Sequence, residues 1–154
     1  MLKELKINQL LLIEKTELVL QKGWLALTGE SGAGKSILLG ALQLIMGAKG
    51  QGSKVRPGSE KAIVEAEFEM EFISKDLKVV FKKYDIEIED NILEIYRDIT
   101  SSGRGKCRVN GLPVPVTALT EMGEHLIQFH GQSEQLLLRD KKHQENLLYT
   151  WGSH

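Results

Sequence analysis

Residues 29–36 read Gly-Glu-Ser-Gly-Ala-Gly-Lys-Ser and match the pattern G-x-x-x-x-G-K-[ST] at every fixed position. The spacing suits the grip of a polyanion. Gly29, Gly32 and Gly34 allow a tight turn in which successive N–H groups face one point with no Cβ in the way. The main chain of Glu30, Ser31, Ala33 and Ile37 belongs to the same cradle. Unpaired N–H groups at the start of a following helix add partial positive charge. Lys35 has the reach for the β- and γ-phosphates of a nucleotide, and the Ser36 hydroxyl suits a Mg²⁺ that bridges them. A glycine-rich turn that merely capped a helix would account for neither Lys35 nor Ser36 at these places.

Such a loop needs a strand before it and a helix after it. The run Trp24-Leu25-Ala26-Leu27-Thr28 is short, apolar and bounded by Gly23 and Gly29, which predicts a strand buried between layers. Ile37, Leu38, Ala41, Leu42 and Ile45 recur at helical steps, with Gly47 and Gly50 as stop signals. Residues 2–10 and 11–20 are β-like, and 47–61 read as an exposed loop. Val64, Ala66, Phe68 and Met70 alternate with Glu65, Glu67 and Glu69, predicting a strand with one wet face. A short helix and a loop fill 75–90, with Lys75, Lys78, Lys82 and Lys83 on a solvated face. A strand covers 92–97, and Ser101–Gly105 make a turn. Asn110-Gly111 between strand-like residues signals a hairpin. Thr117 reads as the cap of a short helix holding Leu119 and Met122. Residues 126–129 read as a strand that delivers His130-Gly131-Gln132-Ser133-Glu134, and the tail from Leu136 is helical in flavour. A phosphate-loop unit followed by meander-like strands is α/β without the regular alternation of a doubly wound sheet.

Composition narrows the classes. The chain has 154 residues, enough for one domain with a sizeable core. At 42% hydrophobic and 27% charged residues it is neither a disordered tail, a collagen-like fibre nor a membrane bundle. Lys plus Arg (20) and Asp plus Glu (21) leave a net charge of −1, so no strongly basic footprint points to nucleic acid. The single Cys107 rules out a disulfide scaffold and a Cys-rich zinc site, and it reads as an inert residue beside a strand. Lys3, Glu4, Lys6, Glu14 and Lys15 interrupt every early apolar run, so no signal peptide is expected and the default location is the cytoplasm.

Hydrolysis requires more than the loop: an acidic group to hold Mg²⁺ and a residue to orient water. No apolar strand after residue 60 ends in a suitable Asp or Glu, so the chain reads as half of a catalytic site. No Ser-His-Asp arrangement or metal-ligand spacing stands out. Glu65 and Glu67 share the wet side of a strand and need no acid–base role.

Several stretches resemble the RecN family of bacterial DNA repair proteins, in the SMC-like branch of ABC-type ATPases. They are MLKELKINQLLLIEKTELVL, LTGESGAGKSILLGALQLIMG, VRPGSEKAIVEAEF, SSGRGKCRVNGLPV and HLIQFHGQSEQ, in the family's order over most of residues 1–138. The resemblance implies a P-loop NTPase fold: the N-terminal lobe of an ABC/SMC-type ATPase head (1–138), with an antiparallel β-subdomain beside the phosphate-loop sheet. It implies that 139–154 lead towards an absent coiled coil. Gly152-Ser153-His154 read equally as native or as the remnant of a tag linker. The signature motif, the Mg²⁺-holding Asp and the catalytic Glu would come from a C-terminal lobe.

The same resemblance implies ATP and Mg²⁺ as cofactors. It also implies a second head as partner in a homodimer, and DNA held by the assembled molecule near the nucleoid. Gln132 matches the Q-loop glutamine, whose amide oxygen is expected on Mg²⁺ or its water. Arg56 stands where SMC proteins carry an arginine that reaches nucleotide or DNA; an exposed loop arginine is the plain alternative. His130 reads as structural or as a nucleotide contact, and Trp24 as core. Trp151 reads as packing on the coiled coil or marking a frayed end. Arg104, Lys106 and Arg108 could form a small basic hairpin face. Two other functions stay open: a self-contained kinase or GTPase-like switch, for which no guanine-reading motif is found, and a non-catalytic nucleotide-binding or dimerisation module.

Overall fold

A computed structural model describes residues 1–23, 25–26 and 33–129. Its elements follow the polarity pattern. β1 (Leu2–Leu10) and β2 (Ile13–Val19) form the first hairpin, and α1 (Ala33–Ile45) follows the phosphate-loop motif. Then come β3 (Lys61–Glu69), α2 (Lys75–Lys83), β4 (Ile92–Thr100), β5 (Cys107–Val109), β6 (Leu112–Val114) and α3 (Val116–Leu126). The strands make one sheet in the order β2-β1-β3-β4-β5-β6, with every neighbour antiparallel.

Alternation gives this sheet a dry face and a wet one. Leu5 and Ile7, then Ala62, Val64, Ala66 and Phe68, then Leu93, Ile95 and Ile99 are buried. They share one apolar cluster with Ile37, Ala41, Leu44 and Ile45 of α1, Leu77 and Phe81 of α2, and Leu119 and Met122 of α3. The intervening Glu4, Lys6, Glu65, Glu67, Glu94 and Tyr96 line an open hollow of about 280 Å³ on the other face. The period breaks near the end of β1. Gln9 adopts φ 54°, and Leu10 rather than Gln9 takes the next buried position.

The expected loop at 47–61 holds a 3-10 turn at Gly52–Lys54 and a buried Val55 that bridges to Leu10. Gly47 ends α1 at φ 87°, where an added Cβ would lie 2.7 Å from the Thr120 nitrogen, so glycine is required twice over. Gly50 has no such left-handed φ. β4 runs three residues beyond the expected strand, to Thr100. Lys75, Lys78, Lys82 and Lys83 are exposed on α2, as read from their spacing.

Three expectations are corrected. Leu25 and Ala26 belong to no strand and are exposed, Leu25 by 61%; no described strand lies beside them to accept their hydrogen bonds. Trp24, Leu27 and Thr28 lie outside the described residues. Pro115, not Thr117, is the N-cap of α3, because the chain is already helical at Val116. Leu126 is the last residue of α3, and 127–129 form no strand, since the Ile127 N–H bonds back to the Gly123 carbonyl.

The Asn110-Gly111 hairpin is confirmed, with φ 47° and 78° at its two central residues. Asn110 does more than turn the chain. Its Oδ1 accepts from the Glu94 N–H at 2.7 Å, and its Nδ2 donates to the Glu87 carbonyl at 2.7 Å. Asn110→Ala leaves both groups without that partner and puts a Cβ-bearing residue with no local hydrogen bond at positive φ. A loss of about 1–3 kcal/mol is expected, read as a lower urea midpoint at unchanged slope.

Candidate phosphate-binding site

The first turn of α1 carries the described part of the motif. Gly34, Lys35 and Ser36 are exposed, whereas Ile37, one step on, is only 6% exposed. The helix therefore buries its apolar stripe and leaves its opening turn to solvent. No acidic residue occupies that turn, and among the described residues no carboxylate pairs with Lys35. A Cβ built on Gly34 would meet no described atom within 4 Å. An exposed lysine and an exposed serine at the start of a helix are the residue types that suit a phosphate chain with its metal ion. Gly29, Glu30, Ser31, Gly32, His130 and Gln132 lie outside the described residues, and of Ala33 only its place at the start of α1 is described.

The opposite end of α1 is anchored. The Arg97 guanidinium donates to the Leu44 carbonyl at 2.7 Å, and the Gly47 N–H reaches the same oxygen at 3.1 Å. The Ala48 N–H bonds to the Gln43 carbonyl at 2.9 Å. α3 closes on this end through Gly123, where a Cβ would come within 3.1 Å of the Met46 backbone. Arg97 was not singled out from the sequence. The available signal is its place in the period-two row Leu93, Ile95, Arg97, Ile99, which puts a cation on the dry face of β4. Burial pulls its pKa below the usual guanidinium value, opposed by the neighbouring Cys107.

Arg56 is placed elsewhere. Its guanidinium donates to the Leu12 carbonyl at 3.1 Å and lies 4.0 Å from Glu14, and its N–H bonds to the Gln9 carbonyl at 2.9 Å. These contacts tie it to the β1–β2 turn, and among the described residues none joins it to Lys35. Arg104, Lys106 and Arg108 are exposed, with the Arg108 guanidinium 5.3 Å from the Tyr96 ring centre. Cys107 is 8% exposed, and burial raises its thiol pKa, partly opposed by Arg97. No group of three or more His, Cys, Asp or Glu among the described residues could hold a metal ion. No described helix is long and apolar enough to cross a membrane.

The family described as AAA domain matches residues 4–148. The chain belongs to the AAA domain family. Its sequence matches the N-terminal part of a RecN head. DNA repair protein RecN of Bacillus subtilis is 40% identical over 144 residues, covering 93% of this chain and 25% of the relative. RecN of Vibrio cholerae is 36% identical over 160 residues, covering all of this chain and 27% of the relative. The chain thus spans about a quarter of the length of the curated relatives it matches. Among solved structures, one from work on ATP-driven dimerization and DNA-stimulated activation of SMC ATPases superposes with TM-score 0.66. That likeness covers 96% of each chain at 17% identity. The recombination mediator RecF gives TM-score 0.59 over 77% of this chain and 29% of its own, at 21% identity. The fold of this AAA domain is accordingly the N-terminal lobe of an SMC-type P-loop ATPase head, with its antiparallel sheet.

Tyr96 gives this lobe an alkaline signature. Burial, then its hydrogen bond to Asp98 at 3.0 Å, pushes the phenol up to about 12. The folded state keeps a proton that the unfolded chain sheds near pH 10, so stability falls as pH rises from about 10 towards 12. Titration at 295 nm should show one tyrosine ionising near the top of that range. Tyr96→Phe should remove that late component and flatten the loss of stability.

Proposed function

We propose that the chain is the ATP-binding half of an SMC-like ATPase head acting in DNA double-strand break repair. The observation that carries this reading is the exposed first turn of α1, which bears Lys35 and Ser36 on a helix fixed at its other end. Relatives named DNA repair protein RecN over nearly the whole chain support the biological setting.

In this reading Gly29, Glu30, Ser31, Gly32, Ala33 and Gly34 turn their main-chain donors towards the phosphates. Lys35 neutralises the β- and γ-oxygens, and Ile37 locks the helix that carries them by burying itself in the core. The Ser36 hydroxyl and the Gln132 amide oxygen would hold Mg²⁺. A bound Mg²⁺ would supply positive charge to neutralise charge developing on the phosphates. Arg56 is bonded to the β1–β2 turn, so it would reach nucleotide or DNA only by leaving Leu12 and Glu14. Residues 1–138 act as the nucleotide-binding lobe and 139–154 as the start of the connection to a coiled coil. Hydrolysis awaits groups from a C-terminal lobe and a second head, and DNA is held by that larger assembly. A soluble cytoplasmic, nucleoid-associated protein fits this role.

Two measurements test it. Lys35→Ala should weaken Mg-ATP binding by about 10–100-fold, the loss of about 1.5–3 kcal/mol from charge-assisted hydrogen bonds, with the melting temperature unchanged. Turnover by the chain alone should stay near background and rise when a separately made C-terminal lobe is added. Robust turnover by the chain alone would contradict the half-site reading.

A further inference from the structure

We propose that Arg97 is a positioning residue for nucleotide, fixing through the far end of α1 where Lys35 and Ser36 stand. This rests on the reading that those two residues grip a Mg-nucleotide.

A buried charge without a counter-charge is costly, and a well-packed apolar residue in its place is often neutral or stabilising. Arg97 is 6% exposed, and among the described residues no carboxylate lies within ion-pair distance of it. Its row on β4 is otherwise aliphatic, so an isoleucine or leucine would serve packing alone. What the guanidinium adds is one directional bond, 2.7 Å long, to the carbonyl of Leu44. That carbonyl lies in the last turn of α1, the negative end of the helix, where a cation is favoured.

The buried stripe of Ile37, Ala41, Leu44 and Ile45 holds α1 against the sheet, and the Arg97 bond adds a directional tie from β4 to its last turn. Gly47 and Gly123 let α3 approach closely, which limits distance without fixing rotation or sliding. On its other side Arg97 borders a half-open cavity of about 570 Å³ shared with Ile99, Cys107 and Val114, so packing there does not hold α1 either. α1 has 13 residues and spans about 20 Å at 1.5 Å per residue. A rigid rod of that length carries a slip at one end to the other. A misplacement of about 1 Å at a reacting centre can cost on the order of 10²-fold in rate, so small tilts matter. Strand β4, and the hairpin hydrogen-bonded to it, thereby set the aim of the first turn of α1 from its opposite end.

The test uses the whole chain with Arg97→Lys, Arg97→Gln and Arg97→Met. Melting temperature, binding of a fluorescent ATP analogue with Mg²⁺, and hydrogen exchange of the ligand-free amides at 37–39 are measured on each. Arg97→Met is expected to melt no lower than wild type yet bind about tenfold more weakly and exchange about tenfold faster at 37–39. Arg97→Gln should show the same loss of binding. Arg97→Lys can still donate one hydrogen bond to Leu44 and should return affinity to within about threefold. A purely structural Arg97 would change melting alone. Wild-type affinity together with wild-type exchange at 37–39 in folded Arg97→Met and Arg97→Gln overturns the proposal. Should the wild-type chain bind no nucleotide, the functional reading fails by itself, and the exchange measurement still decides the role of Arg97.

Discussion

A helix can offer unpaired amides to a polyanion only if something other than its ligand holds it still. In this chain that task falls to α1, which has one solvated end and one anchored end. Its stripe of Ile37, Ala41, Leu44 and Ile45 is buried against the sheet, and its last turn is bonded to Arg97. The exposed first turn is then not a frayed terminus, because burial begins at Ile37, one residue beyond Ser36. Removing either support would leave the glycines of the loop with the freedom to turn but nothing to turn against.

The antiparallel sheet serves that helix. β1, β3 and β4 form the floor on which α1 lies, with registers fixed by alternation of apolar and charged residues. A one-residue slip would move the glutamates of β3 into the core, which is why this part of the fold is so firmly specified. At the far edge, Asn110 ties the hairpin back to Glu94 and Glu87, and Asp98 accepts from both the Lys106 N–H and the Tyr96 hydroxyl. These bonds stiffen β4 at the place where Arg97 leaves it.

Legibility in the sequence followed the physics of each signal. The strand at β3, the helix after the loop, the Asn-Gly hairpin and the exposed lysines of α2 are local patterns, and each appears where its spacing placed it. The phosphate-loop motif stands out in the sequence because its chemistry requires a fixed order of types, and only its last four residues, 33–36, are among the described ones. What failed was set by partners distant in the chain. Leu25 and Ala26 are apolar and glycine-bounded, yet a strand needs a neighbour, and they pair with none of the described strands. Residues 126–129 looked extended because they are mostly apolar, but α3, capped by Pro115, ends at Leu126 and the chain beyond it forms no strand. Arg97 was overlooked because its significance depends on a carbonyl 53 residues earlier in the chain, which no local window contains.

The most direct measurement is an amide-resolved NMR titration of the chain with Mg²⁺ and a non-hydrolysable ATP analogue. The account predicts that the largest shifts fall on residues 29–37, that they saturate, and that Lys35→Ala abolishes them while the spectrum stays folded. Saturable shifts centred on the wet face of the sheet, with Gly34, Lys35 and Ser36 unmoved, would contradict it.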